Sequence, residues 1–219
     1  MVGSGRGSRS RGERWGGQQR RIGLTGGIAT GKSSVGRLLA DRWGLPVLDA
    51  DLFSREALAP GSPGARAVAL RFGPTVACGA PPVVDRSALG RIAFTQADER
   101  HWLEALVHPI VRGRFDQELA RLVGEPTVVL MIPLLFEAGL EELCSETWLV
   151  DCDQEQQEQR LQQRDDLDLQ QTRHRIAAQW PLERKRKLTD VVIDNRGSLE
   201  ALASQVRKAL EAQPFAERR

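Results

Sequence analysis

No run of apolar residues in this 219-residue sequence approaches the length of a membrane span. The longest, residues 128–136, falls far short of the roughly 20 residues that a helix needs to cross a bilayer. The first twenty residues hold no apolar stretch that could serve as a secretory core. Cysteine is scarce: Cys78, Cys144 and Cys152 are odd in number, widely spaced and without a Cys-x-x-Cys pair, which excludes a disulfide framework and a thiolate zinc site. They read as reduced thiols. His101, His108 and His174 are also isolated, with no metal-ligand spacing among them. There is no internal repeat.

What is present is an ordinary globular composition, 41% hydrophobic and 27% charged, on a length that suits one α/β domain with an insertion. The expectation is a soluble cytoplasmic protein with no membrane partner. Residues 1–20 are rich in Gly, Ser and Arg and predict a disordered tail. Its arginines outnumber its single Glu, so the rest of the chain is net acidic although the whole carries +2. That balance disfavours a general or specific nucleic-acid binder. No feature sets an oligomeric state.

Residues 21–25 read as a short strand that breaks at Gly26-Gly27. Val35, Leu38, Leu39 and Trp43 then recur at helical spacing, with Gly44 as the stop. Residues 45–48 form a second strand leading into Asp49-Ala50-Asp51. Residues 127–132, 147–150 and 191–193 are continuous apolar runs of the kind buried in a parallel sheet. Between the second and third strands lies a mostly helical insertion. There Thr95-x-x-Asp98 predicts a capping box ahead of Trp102, and His108-Pro109 a fresh helix start ahead of Ile110. Asp153 and Ser198 are expected to cap the last two well-marked helices.

The sharpest signal is Gly26-Gly27-Ile28-Ala29-Thr30-Gly31-Lys32-Ser33, which fits G-x-x-x-x-G-K-S/T and sits between a predicted strand and a predicted helix. Glycines there let successive backbone N–H groups turn inward around a phosphate at the positive end of the helix. Lys32 supplies a cation for the β and γ phosphates, and the Ser33 hydroxyl is the expected Mg²⁺ ligand. The loop predicts ATP and Mg²⁺ as cofactors. Alone, it does not separate a kinase from an ATPase, a GTPase or a motor.

Asp49 and Asp51 follow a strand expected beside the phosphate-loop strand, at the carboxyl edge where open sheets bind ligands. Asp51 is the candidate to orient an acceptor hydroxyl and take its proton; the competing reading has both carboxylates capping the next helix. Arg160 and Arg164 lie four apart on one predicted helix face and could close over a triphosphate, or belong to a solvated charged helix.

Taken in order, IGLTGGIATGKSSV (22–35), LDAD (48–51), LVHPIV (106–111), IPLLFE (132–137), QRDD (163–166) and VIDNRG (192–197) resemble the dephospho-CoA kinase family over about residues 21–210. The resemblance implies a P-loop NTPase-type, doubly wound, parallel five-stranded sheet with an inserted helical substrate domain and a helical lid. The implied sections are a nucleotide-binding core (21–58, 125–152 and 189–212), a helical domain for the CoA moiety (59–124) and a lid (153–188). It implies Asp51, Lys32 and Arg164 as catalytic residues. Gly27, Ala29, Thr30, Gly31, Lys32, Ser33 and Ser34 are the implied ATP loop, joined at the nucleotide by Arg164 and Asn195. Arg55, His108, Pro133 and Glu137 join Asp51 on the acceptor side. The implied substrates are ATP and 3′-dephospho-CoA. Ala29 departs from the glycine common in the family, and a negative φ there is expected to leave ATP binding intact. A kinase for nucleosides or their monophosphates, and a nucleotide switch tethered to RNA by the Arg-rich tail, are the competing readings.

Overall fold

The computed structural model describes residues 14–212. Five strands form one parallel sheet: β1 (Arg20–Gly26), β2 (Val47–Asp49), β5 (Thr127–Met131), β6 (Glu146–Asp151) and β7 (Val191–Asp194), in the order β2-β5-β1-β6-β7. Because all five run the same way, Gly26, Asp49, Met131 and Asp151 end on one edge of the sheet. Their side chains alternate between two buried faces, which is why the strands read as unbroken apolar runs rather than as alternating ones. On one face Ile22, Leu24, Val129 and Trp148 pack against Val35 and Leu39 of α1 (Lys32–Trp43) and Leu202 and Val206 of α9 (Leu199–Glu211). On the other, Val128 and Leu130 pack against Phe53 of α2 (Ala50–Ala57) and Phe115 of α5 (Ala97–Arg121). Those two rings meet edge to face at 5.0 Å.

The insertion is α3 (Pro63–Phe72), a small hairpin of β3 (Ala77–Cys78) and β4 (Val83–Val84), α4 (Arg86–Thr95) and the first part of α5. Val68, Val76, Val84 and Leu89 give it a small core of its own, capped by Trp102. The hairpin is too short to show in a residue pattern. Two local expectations are corrected here. Thr95 is the last residue of α4, where its hydroxyl donates back to the Arg91 carbonyl at 2.9 Å; the N-cap of α5 is Gln96, without a side-chain cap bond. Pro109 also starts no helix: α5 runs through it for 25 residues. Val107 and Val111 are buried on either side of it, and Ala105, whose carbonyl loses its helical donor, is exposed to water. The same packing carries Val107, Val111, Phe115 and Leu119 into the main core against the sheet.

The tail expected over residues 1–20 lies outside the described residues as far as residue 13. Its last seven residues differ from that expectation. Arg14 pairs with Asp190, the Arg21 guanidinium stacks on Trp15 at 3.4 Å, and the Gln19 amide donates to the Leu122 and Glu125 carbonyls at 2.6 and 3.0 Å. Arg20 opens β1 and pairs with Glu146 at 2.7 Å.

After β6 come α6 (Gln154–Asp165), α7 (Leu169–Ala177) and α8 (Leu182–Leu188). Asp153 stands at the N-cap of α6 as expected, but its carboxylate pairs with Arg196 at 2.8 Å and makes no cap bond. Ser198 caps α9 through the Ala201 N–H, and Gly44 ends α1 in the left-handed conformation. Among the described residues no helix is long and apolar enough to cross a membrane.

Candidate active site

The phosphate loop connects β1 to α1 at the centre of the sheet edge, and side chains distant in sequence hold it. The Thr30 hydroxyl donates to the Gly27 carbonyl at 2.9 Å, and Asn195, just past β7, donates to the Thr30 carbonyl at 2.8 Å. Gly31 is the N-cap of α1 with φ of 99°, and a Cβ there would strike the Asn195 amide, so both its backbone and its neighbour require glycine. Ala29 is a correction. Its φ is +60°, the left-handed region, not the negative value expected. An alanine there stores on the order of 1–2 kcal/mol of local strain. Ile28, just before it, is gripped twice: its N–H donates to the Gln179 Oε1 at 2.8 Å, and its carbonyl accepts from the Gln157 Nε2 at 2.7 Å.

Beside the loop lies a cavity of about 530 Å³, lined by Gly27, Ile28, Ala29 and Gly31 of the loop and by Lys32, Ser33, Ser34 and Arg37 of α1. Asp51, Pro133, Arg160, Arg164 and Gln179 complete its wall. Lys32 is 7% exposed. Burial lowers its pKa, against the opposing pull of Asp51 and then Asp49. A buried cation facing an otherwise neutral loop is arranged for an anionic ligand. Among the described residues no group of three His, Cys, Asp or Glu could hold a metal ion. The hard oxygen of Ser33 on the cavity wall fits a Mg²⁺ whose remaining ligands are water and phosphate.

The two aspartates after β2 part company because the strand ends at Asp49 and a helix begins. Asp49 is the N-cap of α2, its Oδ1 accepting from the Asp51 N–H at 2.9 Å. That leaves Asp51, exposed in the first turn, as the carboxylate facing the cavity. Capping accounts for only one of the pair.

Arg160 and Arg164, one turn apart on α6, both reach the cavity. Arg160 donates to the Asn195 carbonyl at 2.9 Å, while its Nη1 is buried without a hydrogen-bond partner in the protein. Arg164 forms two bonds to Asp165, at 2.8 and 3.1 Å. That pairing raises the Arg164 pKa and lowers the Asp165 pKa.

The expected acceptor residues are not gathered in one place. Pro133 lines the cavity, its carbonyl accepting from the Thr25 hydroxyl and the Lys185 ammonium at 3.1 and 3.0 Å. Arg55 is exposed in the last turn of α2, its carbonyl taking a bond from Arg86. His108 is exposed on α5. Glu137 is turned toward α8 and the turn before it: its Oε1 lies 2.8 Å from Lys185 and accepts the Trp180 N–H at 3.1 Å. Lys185, wholly buried, and the two glutamines on Ile28 are residues that sequence reasoning missed. They sit in a polar stretch without a motif, and nothing in their spacing marks them as buried.

Comparison with known proteins gives a consistent result. The family model for dephospho-CoA kinase matches residues 20–201. A dephospho-CoA kinase from Synechococcus sp. (strain CC9605) is 61% identical over 199 residues, 91% of this chain and 96% of that one. The crystal structure of TT1252 from Thermus thermophilus superposes with a TM-score of 0.76 at 39% identity, covering 89% of this chain and 97% of that one. Dephospho-CoA kinase from Campylobacter jejuni does so with a TM-score of 0.64 at 25% identity, covering 87% and 95%.

Proposed function

The chain belongs to the dephospho-CoA kinase family, and from that premise we propose how its cavity moves the γ-phosphoryl group of ATP to the ribose 3′-hydroxyl of 3′-dephospho-CoA, giving CoA and ADP. This is the last step of CoA biosynthesis. The observation that carries the proposal is that Asp51, freed because Asp49 alone caps α2, shares one cavity with Lys32, Ser33 and Arg164.

The loop amides, Thr30, Gly31, Lys32, Ser33 and Ser34 hold the phosphates, with Gly27 and Ala29 shaping the turn. Asn195 and Arg164 join them from the adjoining segments. Asp51 orients the 3′-hydroxyl; as its oxygen bonds the γ-phosphorus and the bond to the β-phosphate oxygen breaks, the hydroxyl proton passes to the Asp51 carboxylate. Lys32 and Arg164 neutralise charge on the transferring group, Arg164 exchanging Asp165 for phosphate. Ser33 would hold a Mg²⁺, which supplies charge neutralisation across the phosphates when bound. Arg55 and His108, from α2 and α5, contact the CoA precursor, while Pro133 and Glu137 form the wall behind it.

The chain works in three parts. Residues 21–58, 125–152 and 189–212 are the core, residues 59–124 receive the CoA moiety, and residues 153–188 are the lid. Three free cysteines, two of them buried, suit a reducing compartment, and the cytoplasm is the proposed location.

Purified protein mixed with Mg-ATP and 3′-dephospho-CoA should form CoA, read by mass, alongside reactions with AMP and with no acceptor. ADP without CoA, or faster transfer to AMP, would overturn the substrate assignment.

A further inference from the structure

Gln179 stands in the turn between α7 and α8, 151 residues from the loop it touches. Its Oε1 accepts the Ile28 N–H at 2.8 Å, and this decides how the amide is turned. A backbone N–H can only donate, so the carbonyl end of the glutamine must face the loop and the NH₂ end must face away from it. No hydrogen bond engages that Nε2 among the described residues, and the side chain lines the same cavity as Lys32, Ser33 and Arg164.

The turn that carries Gln179 is fixed on its far side. The next residue, Trp180, donates its N–H to Glu137, and Lys185, one turn into α8, pairs with the same carboxylate oxygen and with the Pro133 carbonyl. Leu182 and Gln157 approach so closely that a Cβ on Gly27 would lie 3.3 Å from one and 2.7 Å from the other. Gln179 is therefore held between a rigid corner and the phosphate loop, with one polar end engaged and two N–H donors unpartnered.

We propose that Gln179 contacts the γ-phosphate of the bound triphosphate, its two Nε2 hydrogens donating to terminal phosphate oxygens while its Oε1 stays on the Ile28 N–H. The inference rests on the kinase reading above and deepens it. A neutral donor pair on the lid side complements Lys32 on the loop side, and it distinguishes ATP from ADP because only the triphosphate extends to it. Preorganised donors of this kind act without reorganising when charge develops.

The test compares Gln179→Glu and Gln179→Leu with the native protein, measuring ATP and ADP dissociation constants by calorimetry and single-turnover transfer to 3′-dephospho-CoA. A hydrogen bond to a charged group corresponds to about ten- to hundredfold in affinity. The expected result is an ATP affinity lowered by that factor in both variants, with ADP affinity within about twofold of native. Gln179→Glu keeps the acceptor for Ile28 but places a carboxylate where donors stood. It should be the weaker ATP binder near pH 8 and regain affinity as pH falls and the new carboxyl protonates. If Gln179→Glu binds ATP like the native protein, or if ATP and ADP affinities fall together, Gln179 is only a latch on the loop and the proposal fails. Retained ADP binding reports the fold of each variant, and Gln179→Glu alone decides the matter should the leucine variant not fold. A native protein that binds ATP but forms no CoA would sink the substrate reading without touching this comparison.

Discussion

The donor and acceptor sides of the cavity are built differently. On the donor side the phosphate loop is tied down at two residues by side chains from elsewhere: Asn195 on Thr30, and Gln157 and Gln179 on Ile28. On the proposed acceptor side Asp51, Arg55 and His108 stand exposed on two helices. The phosphate cradle thus exists before a ligand enters, as electrostatic preorganisation requires, whereas the proposed acceptor side chains on α2 and α5 stand open to solvent. The difference also separates what each substitution should do.

The largest effect is expected from Arg164→Ala. Loss of an arginine that stabilises the transferring group should lower kcat by about 10³-fold or more. Rapid-quench measurement should find this with ADP binding nearly unchanged, since the rest of the cradle remains. A kcat within a few-fold of native would leave Arg164 as a partner of Asp165 and nothing else.

Next comes the support behind the cradle. Lys185→Met strands Glu137 in a half-buried site with only the Trp180 N–H, and breaking such a pair should cost about 3 kcal/mol, read from the urea midpoint. The loop should loosen with it. A native midpoint would show that the α8 corner is not anchored through this pair.

The charge at Lys32 gives a smaller, reversible handle. Burial holds its pKa below the ordinary value in the free protein, and phosphates would raise it again on binding. ATP affinity should therefore be complete below the free-protein pKa and decline as pH rises through it, by about tenfold for each unit separating the free and bound values. Calorimetry across alkaline pH would detect this. A slope of the same size in Lys32→Arg would assign it to another group.

The smallest effect belongs to Ala29→Gly. Relief of left-handed strain, about 1–2 kcal/mol, is offset by the extra freedom glycine has when unfolded, about 0.5–1 kcal/mol. A net gain of about 1 kcal/mol or less is expected in the unfolding midpoint. A clear loss would mean that the Ala29 methyl packs usefully in the loop.

Much of this was legible in the residues. The loop motif and the five apolar runs specify the central strand, its helix and the buried parallel sheet, because each depends on local pattern. The capping competition at Asp49 and Asp51 was visible but not its outcome, which turns on where the strand stops. Thr95 misled because α4 extends to it and uses its hydroxyl on the Arg91 carbonyl, and Pro109 because packing of Val107 and Val111 carries one helix through a proline that local rules read as a boundary. The sign of φ at Ala29 belongs to a loop clamped at Ile28 by residues 129 and 151 positions away, and no motif joins Gln157 or Gln179 to it. Glu137 looked like an acceptor residue in its segment, yet its charge is met by Lys185, a contact across 48 positions that only the folded chain reveals.

The contrast between a finished donor side and an acceptor side organised around one carboxylate rests on Asp51. Single-turnover transfer by Asp51→Asn, at ATP concentrations shown to saturate it, is the most direct measurement. The expected result is transfer slowed by about 10²–10⁴-fold with the ATP dissociation constant unchanged. Transfer at the native rate would contradict the role given to Asp51 and with it the division between the two sides.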